Sequence, residues 1–233
     1  MALTLTTLEA DVRDEIGEAT AGRWTQPQVV RAINRTAESL IVTFVTNNCW
    51  QLLLHLTKEV SYQLDGSRSY SLYSVLGDST DFYTIVNAYL GNATRPDTRI
   101  IRVGPDEFHR ICDSPEYSVS VSHPYCTLWK YDSESGHGNL PYIWIYPYAT
   151  ARYLWLRYLR NYNSIIVDTN VTCDMPDVCR NAIVLGAAKR LWIADRNVEM
   201  ATLMVNDYAR ELQNLIENYS EGWQDELDIQ RVR

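Results

Sequence analysis

The sequence predicts an α+β protein: N- and C-terminal helices form a four-helix bundle, an antiparallel β-sandwich-like module is inserted between them, and the last residues extend as a C-terminal arm. Three observations carry this. Apolar residues recur at helical spacing near both ends of the 233-residue chain, and they alternate at period two through its middle. The final stretch, "SEGWQDELDIQRVR", is polar with isolated apolar residues. Two helices, six or more strands and two helices, in that order, contradict the strand–helix alternation of a doubly wound parallel sheet. The boundaries expected are 1–49 with 174–220 for the bundle, 50–173 for the β-rich module and 221–233 for the arm.

At the start, Thr6 and Glu9 have capping-box spacing, and Leu8, Val12 and Ile16 repeat at helical intervals until Gly17 and Gly22 interrupt them. A second helix opens at Thr25, with Gln28 completing a capping box, Pro27 in the first turn and Trp24 placed to staple against Val29. Val30, Ile33, Ala37, Leu40, Ile41 and Phe44 form its apolar stripe. After Trp50 the period changes: Leu52, Leu54, Leu56, Val60, Tyr62 and Leu64 share one parity, which predicts a strand. "SYSLY", "FYTIVNAYL" and "TRIIRV" read as further short strands, and "GPDEFHRIC" as a helical turn with Pro105 in its first turn. "YCTLWKY" and "YIWIYPY" flank a polar loop as a hairpin, and "ARYLWLRYL" is expected to pair next across Ala149 to Ala151. Pro176 is expected to open a helix with Ile183, Ala187, Leu191 and Ala194 on one face. Gly186, Ala187 and Ala188 there allow close helix approach. Asn197 starts the last helix, burying Ala201, Met204, Tyr208, Leu212, Leu215 and Tyr219.

A net charge of -8 denies the chain the broad basic face that supplies most phosphate-backbone affinity. The five cysteines, Cys49, Cys112, Cys126, Cys173 and Cys179, are never closer than six positions. That spacing suits neither a disulfide framework nor a zinc ribbon. Four Asn-x-Ser/Thr sequons, at Asn34, Asn92, Asn170 and Asn218, read as chance matches in a reducing cytoplasm, because no basic segment followed by an apolar run opens the chain. The apolar runs "LIVTFV" and "LLLHL" fall far short of the ~20 residues of a membrane span.

Catalytic patterns are sparse. His55, His109, His123 and His137 lie far apart and outside any metal-binding helix pattern, and no nucleophile elbow, phosphate loop or dinucleotide fingerprint occurs. The sequence therefore implies no metal, cofactor or catalytic residues. Asp132 with Glu134 is the one carboxylate pair conceivable for glycoside hydrolysis, and Cys112 near His109 the one thiol with a base; loop solvation and chance helical spacing explain both more simply.

Twelve of the 26 aromatic residues fall between Tyr117 and Tyr162. On one strand Tyr142, Trp144, Tyr146 and Tyr148 share a parity and Ile143 and Ile145 the other, so three readings stand open: core packing, a subunit or tail interface with Arg152 and Arg157 (and Arg160), or a stacking platform for sugar rings.

The whole layout resembles the head-to-tail adaptor proteins of tailed bacteriophages. The resemblance runs from Leu5 to about Tyr219. It rests on "RWTQPQVVRAIN", the strand segment around Pro147 in "IWIYPYATARYLWLRYLRNY", and "MPDVCRNAIVLGAAKRL". It implies a virion structural protein of the neck, made in the host cytoplasm and without enzymatic activity. It further implies a ring of about twelve copies beneath the portal, with the β module facing a tail or nozzle protein and DNA passing through the lumen without specific binding. The arm would reach the portal through Trp223, Leu227, Ile229, Arg231, Val232 and Arg233. An acidic subunit suits a conduit, since repeated negative charge repels the polyanion from the wall. The rival reading is a carbohydrate-binding or tail-associated β module using exposed aromatics.

Overall fold

The computed structural model describes residues 3–18, 22–77, 81–114, 120, 122–129, 140–163 and 172–220. It is α+β and divides into two compact units, Met1–Leu56 with Tyr162–Arg233, and Thr57–Asn161.

In the first unit, helix α1 spans Leu5–Glu15 and is capped by Thr4, whose side-chain oxygen accepts the N–H of Thr7 at 3.3 Å. The helix thus begins two residues before the expected Thr6, which brings Leu5 onto the buried face with Leu8 and Val12. Helix α2 spans Gln26–Thr46. The Gln28 side chain accepts the N–H of Thr25 at 2.8 Å, as the box spacing predicts. Its stripe of Val29, Val30, Ile33, Ala37, Leu40, Ile41 and Phe44 is buried.

Trp50–Leu56 corrects the strand reading. It is a 3-10 turn that buries Leu52, Leu53 and Leu56 and leaves Leu54 exposed. Leucines at 52, 54 and 56 mimic a period of two, but a helix of three residues per turn aligns 53 with 56 instead.

Pro176 caps a 3-10 turn, Asp177–Cys179, and helix α5 follows at Arg180–Ala194. Ile183, Ala187 and Leu191 are buried as expected, whereas Ala194 is exposed in the last turn. Helix α6, Val198–Tyr219, is capped by Asn197, whose Oδ1 accepts the N–H of Met200 at 3.1 Å. It buries Ala201, Met204, Tyr208 and Leu215, with Leu212 and Tyr219 half-buried.

α5 packs against α1, α2 and α6. Gly186 makes this possible: a Cβ there would lie 2.3 Å from Thr36 Cγ2 on α2 and 2.9 Å from Tyr208 Cε2 on α6. Arg180 of α5 ties to Asp11 of α1 through two hydrogen bonds, at 2.6 and 2.8 Å.

The second unit holds two four-stranded sheets. One has the order β1 (Thr57–Asp65), β8 (Thr150–Leu159), β3 (Thr84–Gly91), β4 (Pro96–Arg99), all antiparallel. The other has the order β2 (Ser69–Ser71), β7 (Tyr142–Tyr146), β6 (Tyr125–Trp129), β5 (Ile101–Arg102), and its β5–β6 pair is parallel, a departure from the all-antiparallel expectation. "SYSLY" splits into β2 and a short helix α3, Leu72–Val75, and "TRIIRV" splits between the two sheets. β6 and β7 form the expected hairpin, with Trp129 opposite Tyr142 and Tyr125 opposite Tyr146.

The pairing expected between β7 and β8 does not form. The chain crosses between sheets after Pro147, and β8 inserts between β1 and β3. Leu154, Leu156 and Tyr158 alternate inward along β8, so that strand gains a complete buried face only at the centre of the first sheet. A single buried cluster draws on both sheets, including Leu90, Leu154 and Leu156 from one and Cys126, Ile143 and Ile145 from the other. Helix α4, Pro105–Asp113, lies against β6 and buries Phe108 and Ile111.

Candidate assembly surface

β7 resolves the aromatic strand into two faces. Ile143 and Ile145 are fully buried in the core, and Tyr142, Trp144 and Tyr146 stand half-buried on the opposite face. Cross-strand register sets Trp129 beside Tyr142 and Thr127 beside Trp144, so the outward faces of β6 and β7 merge into one aromatic surface.

Much of that surface is engaged within the chain. The Arg68 guanidinium sits over the Trp144 ring at 5.0 Å. His109 of α4 meets Trp129 edge-on at 5.1 Å and Trp144 at 6.5 Å. Trp129 and Trp144 are tilted 40° to each other at 6.4 Å, and Tyr146 meets Tyr148 at 78°. A sugar platform needs exposed, coplanar rings; this geometry gives packed, angled ones, with Tyr148 more exposed than its strand neighbours.

The two arginines expected at an interface lie in the first sheet. Arg157 pairs with Glu59 across the β1–β8 ladder at 3.1 Å, and Arg152 pairs with Asp97 of β4. Pairs this exposed contribute at most about 1 kcal/mol, so an incoming acidic group can exchange into them at little cost. Trp155 donates to the Asn92 carbonyl at 3.0 Å.

The His109 ring is taken up by Trp129 and Trp144, while the Cys112 thiol is pushed up by burial, with the nearby Arg68 guanidinium pulling it down. Asp132 and Glu134 lie outside the described residues, as do the arm residues Trp223, Leu227, Ile229, Arg231, Val232 and Arg233. No helix among the described residues is long and apolar enough to cross a membrane.

The helical unit carries a surface that the sequence reading missed. Beside the buried stripe of α6, Val198, Thr202, Val205 and Ala209 form an exposed line without charge, Val198 being 77% exposed, and it continues into half-buried Leu212 and Ile216. Ile193 and Leu203 add exposed apolar area on α5 and α6. The signal was present in the sequence as a second i, i+4, i+7, i+11 set on the same helix. A search for one buried face per helix passes over it.

The chain belongs to the SU10 adaptor protein family, whose profile matches residues 3–232, as the resemblance in the sequence implies. It is thus a phage adaptor, a structural protein that associates with other virion components. No curated protein matches the chain.

Proposed function

We propose that this protein is the head-to-tail adaptor of its virion: a ring of about twelve copies beneath the portal that joins capsid to tail and lets DNA pass through its lumen. The observation that carries the reading is the family match along nearly the whole chain. In this reading the terminal helices form the bundle of the ring and neighbouring copies meet along the uncharged line of α6, where Val198 and Val205 are exposed and available to a partner. The sandwich-like β module faces the tail or nozzle protein, with Tyr142, Tyr146, Arg152 and Arg157 as contact residues and Trp144 as their packed support. Net charge of -8 per copy, repeated around a ring, keeps DNA off the wall.

The arm, 221–233, engages the portal by ordering on it, with Trp223 as the anchor, Leu227, Ile229 and Val232 as the apolar contacts, and Arg231 and Arg233 pairing with acids. Deleting 221–233 tests this directly. The truncated protein is expected to keep the circular dichroism and melting of the full chain and to lose co-sedimentation with purified portal; undiminished co-sedimentation refutes the role of the arm.

A further inference from the structure

The outer face of the first sheet is made by the strands at its centre. Along β8, Leu154, Leu156 and Tyr158 are buried, so Tyr153, Trp155 and Arg157 stand half-buried on the opposite side. Cross-strand register sets Trp155 between Ser61 of β1 and Tyr89 of β3, Arg157 between Glu59 and Asn87, and Tyr153 between Gln63 and Gly91. Arg99 of β4 lies opposite Tyr89. Three aromatic residues and two arginines thus share one sheet face, and these are the residue types enriched where proteins meet.

Unlike Trp129 and Trp144 of the second sheet, none of these three rings meets another ring or a cation among the described residues. Trp155 donates its one N–H to the Asn92 carbonyl at 3.0 Å, and the Tyr153 hydroxyl donates to Gln63 Oε1 at 3.5 Å. Ring surface is what they keep for a partner. The cations are accessible as well, because Arg99 is exposed and forms no ion pair among the described residues. Arg157 pairs with Glu59 while the two side chains remain 38% and 44% exposed, so a second carboxylate exchanges into that pair readily.

We infer that this face docks an extended, acidic segment of another virion protein, whose carboxylates reach Arg99 and Arg157 while a residue between them covers Tyr89 and Trp155. Arg157 and Arg99 lie two strands apart and one cross-strand pair out of step. Strand spacing puts their Cα atoms about 12 Å apart, close to the ~13 Å between residues i and i+4 of an extended chain. The segment therefore reads acid-x-apolar-x-acid. Nucleic acid fits less well, because Glu59 and Asp97 border the same face and oppose a backbone that repeats its negative charge at every unit. That the partner is a virion protein rests on the tail-facing role proposed for the β module. The binding tested below needs neither portal nor ring, so its failure leaves that role standing.

The test uses the full chain. Fluorescence anisotropy follows a labelled, capped Glu-Ser-Leu-Ser-Glu peptide, its counterpart with Gln at both ends, and a labelled ten-residue oligothymidylate, all at one ionic strength. The Trp155 indole N–H signal in NMR reports where the peptide sits, and the melting temperature shows that each variant is folded. The Glu peptide is expected to bind and to shift the Trp155 signal, and the Gln peptide and the oligonucleotide to bind more weakly. Arg99→Gln is expected to weaken the Glu peptide about tenfold. Glu59→Gln releases Arg157 and is expected to tighten binding about threefold. Glu107→Gln, the same change of net charge at an exposed site on α4, is expected to leave it unchanged. Equal binding of the Glu and Gln peptides, full affinity in Arg99→Gln, no gain in Glu59→Gln beyond that in Glu107→Gln, or tighter binding of the oligonucleotide would each overturn the assignment.

Discussion

Replacing Gly186 by Ala sets two effects against each other. In an ordinary helix interior the change stabilises by about 1 kcal/mol, because Ala restricts the unfolded chain and exposes less backbone. Here the new methyl would lie 2.3 Å from Thr36 Cγ2 and 2.9 Å from Tyr208 Cε2, well inside contact distance. Tyr208 can swing, but Thr36 cannot. It is 1% exposed and β-branched, and its hydroxyl donates to the Ala32 carbonyl at 2.8 Å while accepting from Arg190 Nε at 3.2 Å. Relief must come from separating α2 and α5, and overpacking of this kind costs about 1–3 kcal/mol beyond the propensity gain. Urea unfolding followed by helical circular dichroism is therefore expected to show Gly186→Ala less stable than the parent. Adding Thr36→Ala removes the obstructing methyl, so the second substitution should recover part of the loss, a coupling detectable in a double-mutant cycle. A more stable Gly186→Ala, or strict additivity with Thr36→Ala, refutes this account of how α5 nests between its neighbours.

Acid stability and thiol chemistry give two further outcomes. Glu18 accepts the backbone N–H of Arg23 and that of Trp24 at 3.3 Å and pairs with Arg13 at 3.5 Å, and the Arg23 bond foremost holds its carboxyl below the ordinary glutamate value. A depressed acid contributes stability present above its unfolded pKa, about 4.3, and lost as pH falls through the folded one. The destabilisation caused by Glu18→Gln should thus be full at pH 7 and shrink below about pH 4; a difference independent of pH contradicts the role of Glu18 in fixing the entry to α2. Burial pushes Cys126 and Cys179 up to about 12 and raises Cys49 and Cys173, so in the folded protein at pH 8 these thiols are protonated and covered. A thiol-reactive dye is expected to label one cysteine quickly, Cys112, and all five after unfolding; a fast phase that survives Cys112→Ser would show that the buried set is accessible.

The local elements could be read from the sequence where the chemistry that sets them is local. Gln28 bonds back to Thr25, Asn197 caps α6, and the stripe of α2 from Val30 to Phe44 is buried, because caps and helical periodicity act within a few residues. Partner choice among strands is not local. β7 and β8 are neighbours in sequence with alternating apolar residues, which reads as a hairpin, yet β8 pairs with β1 and β3, from nearly one hundred residues to about seventy residues upstream. Nothing in either strand alone encodes that choice. The aromatic surface was visible as composition, but whether its rings stack outward or pack on Arg68 and His109 depends on α4 and on the loop after β1.

The central claim is that this chain acts by fitting against copies of itself and against the portal. Native mass spectrometry of the purified full-length protein, alone and after mixing with purified portal, tests it most directly. The account predicts a complex on the portal carrying a closed set of about twelve copies. A chain whose mass stays unchanged in the presence of portal, at concentrations well above those of assembly, contradicts it.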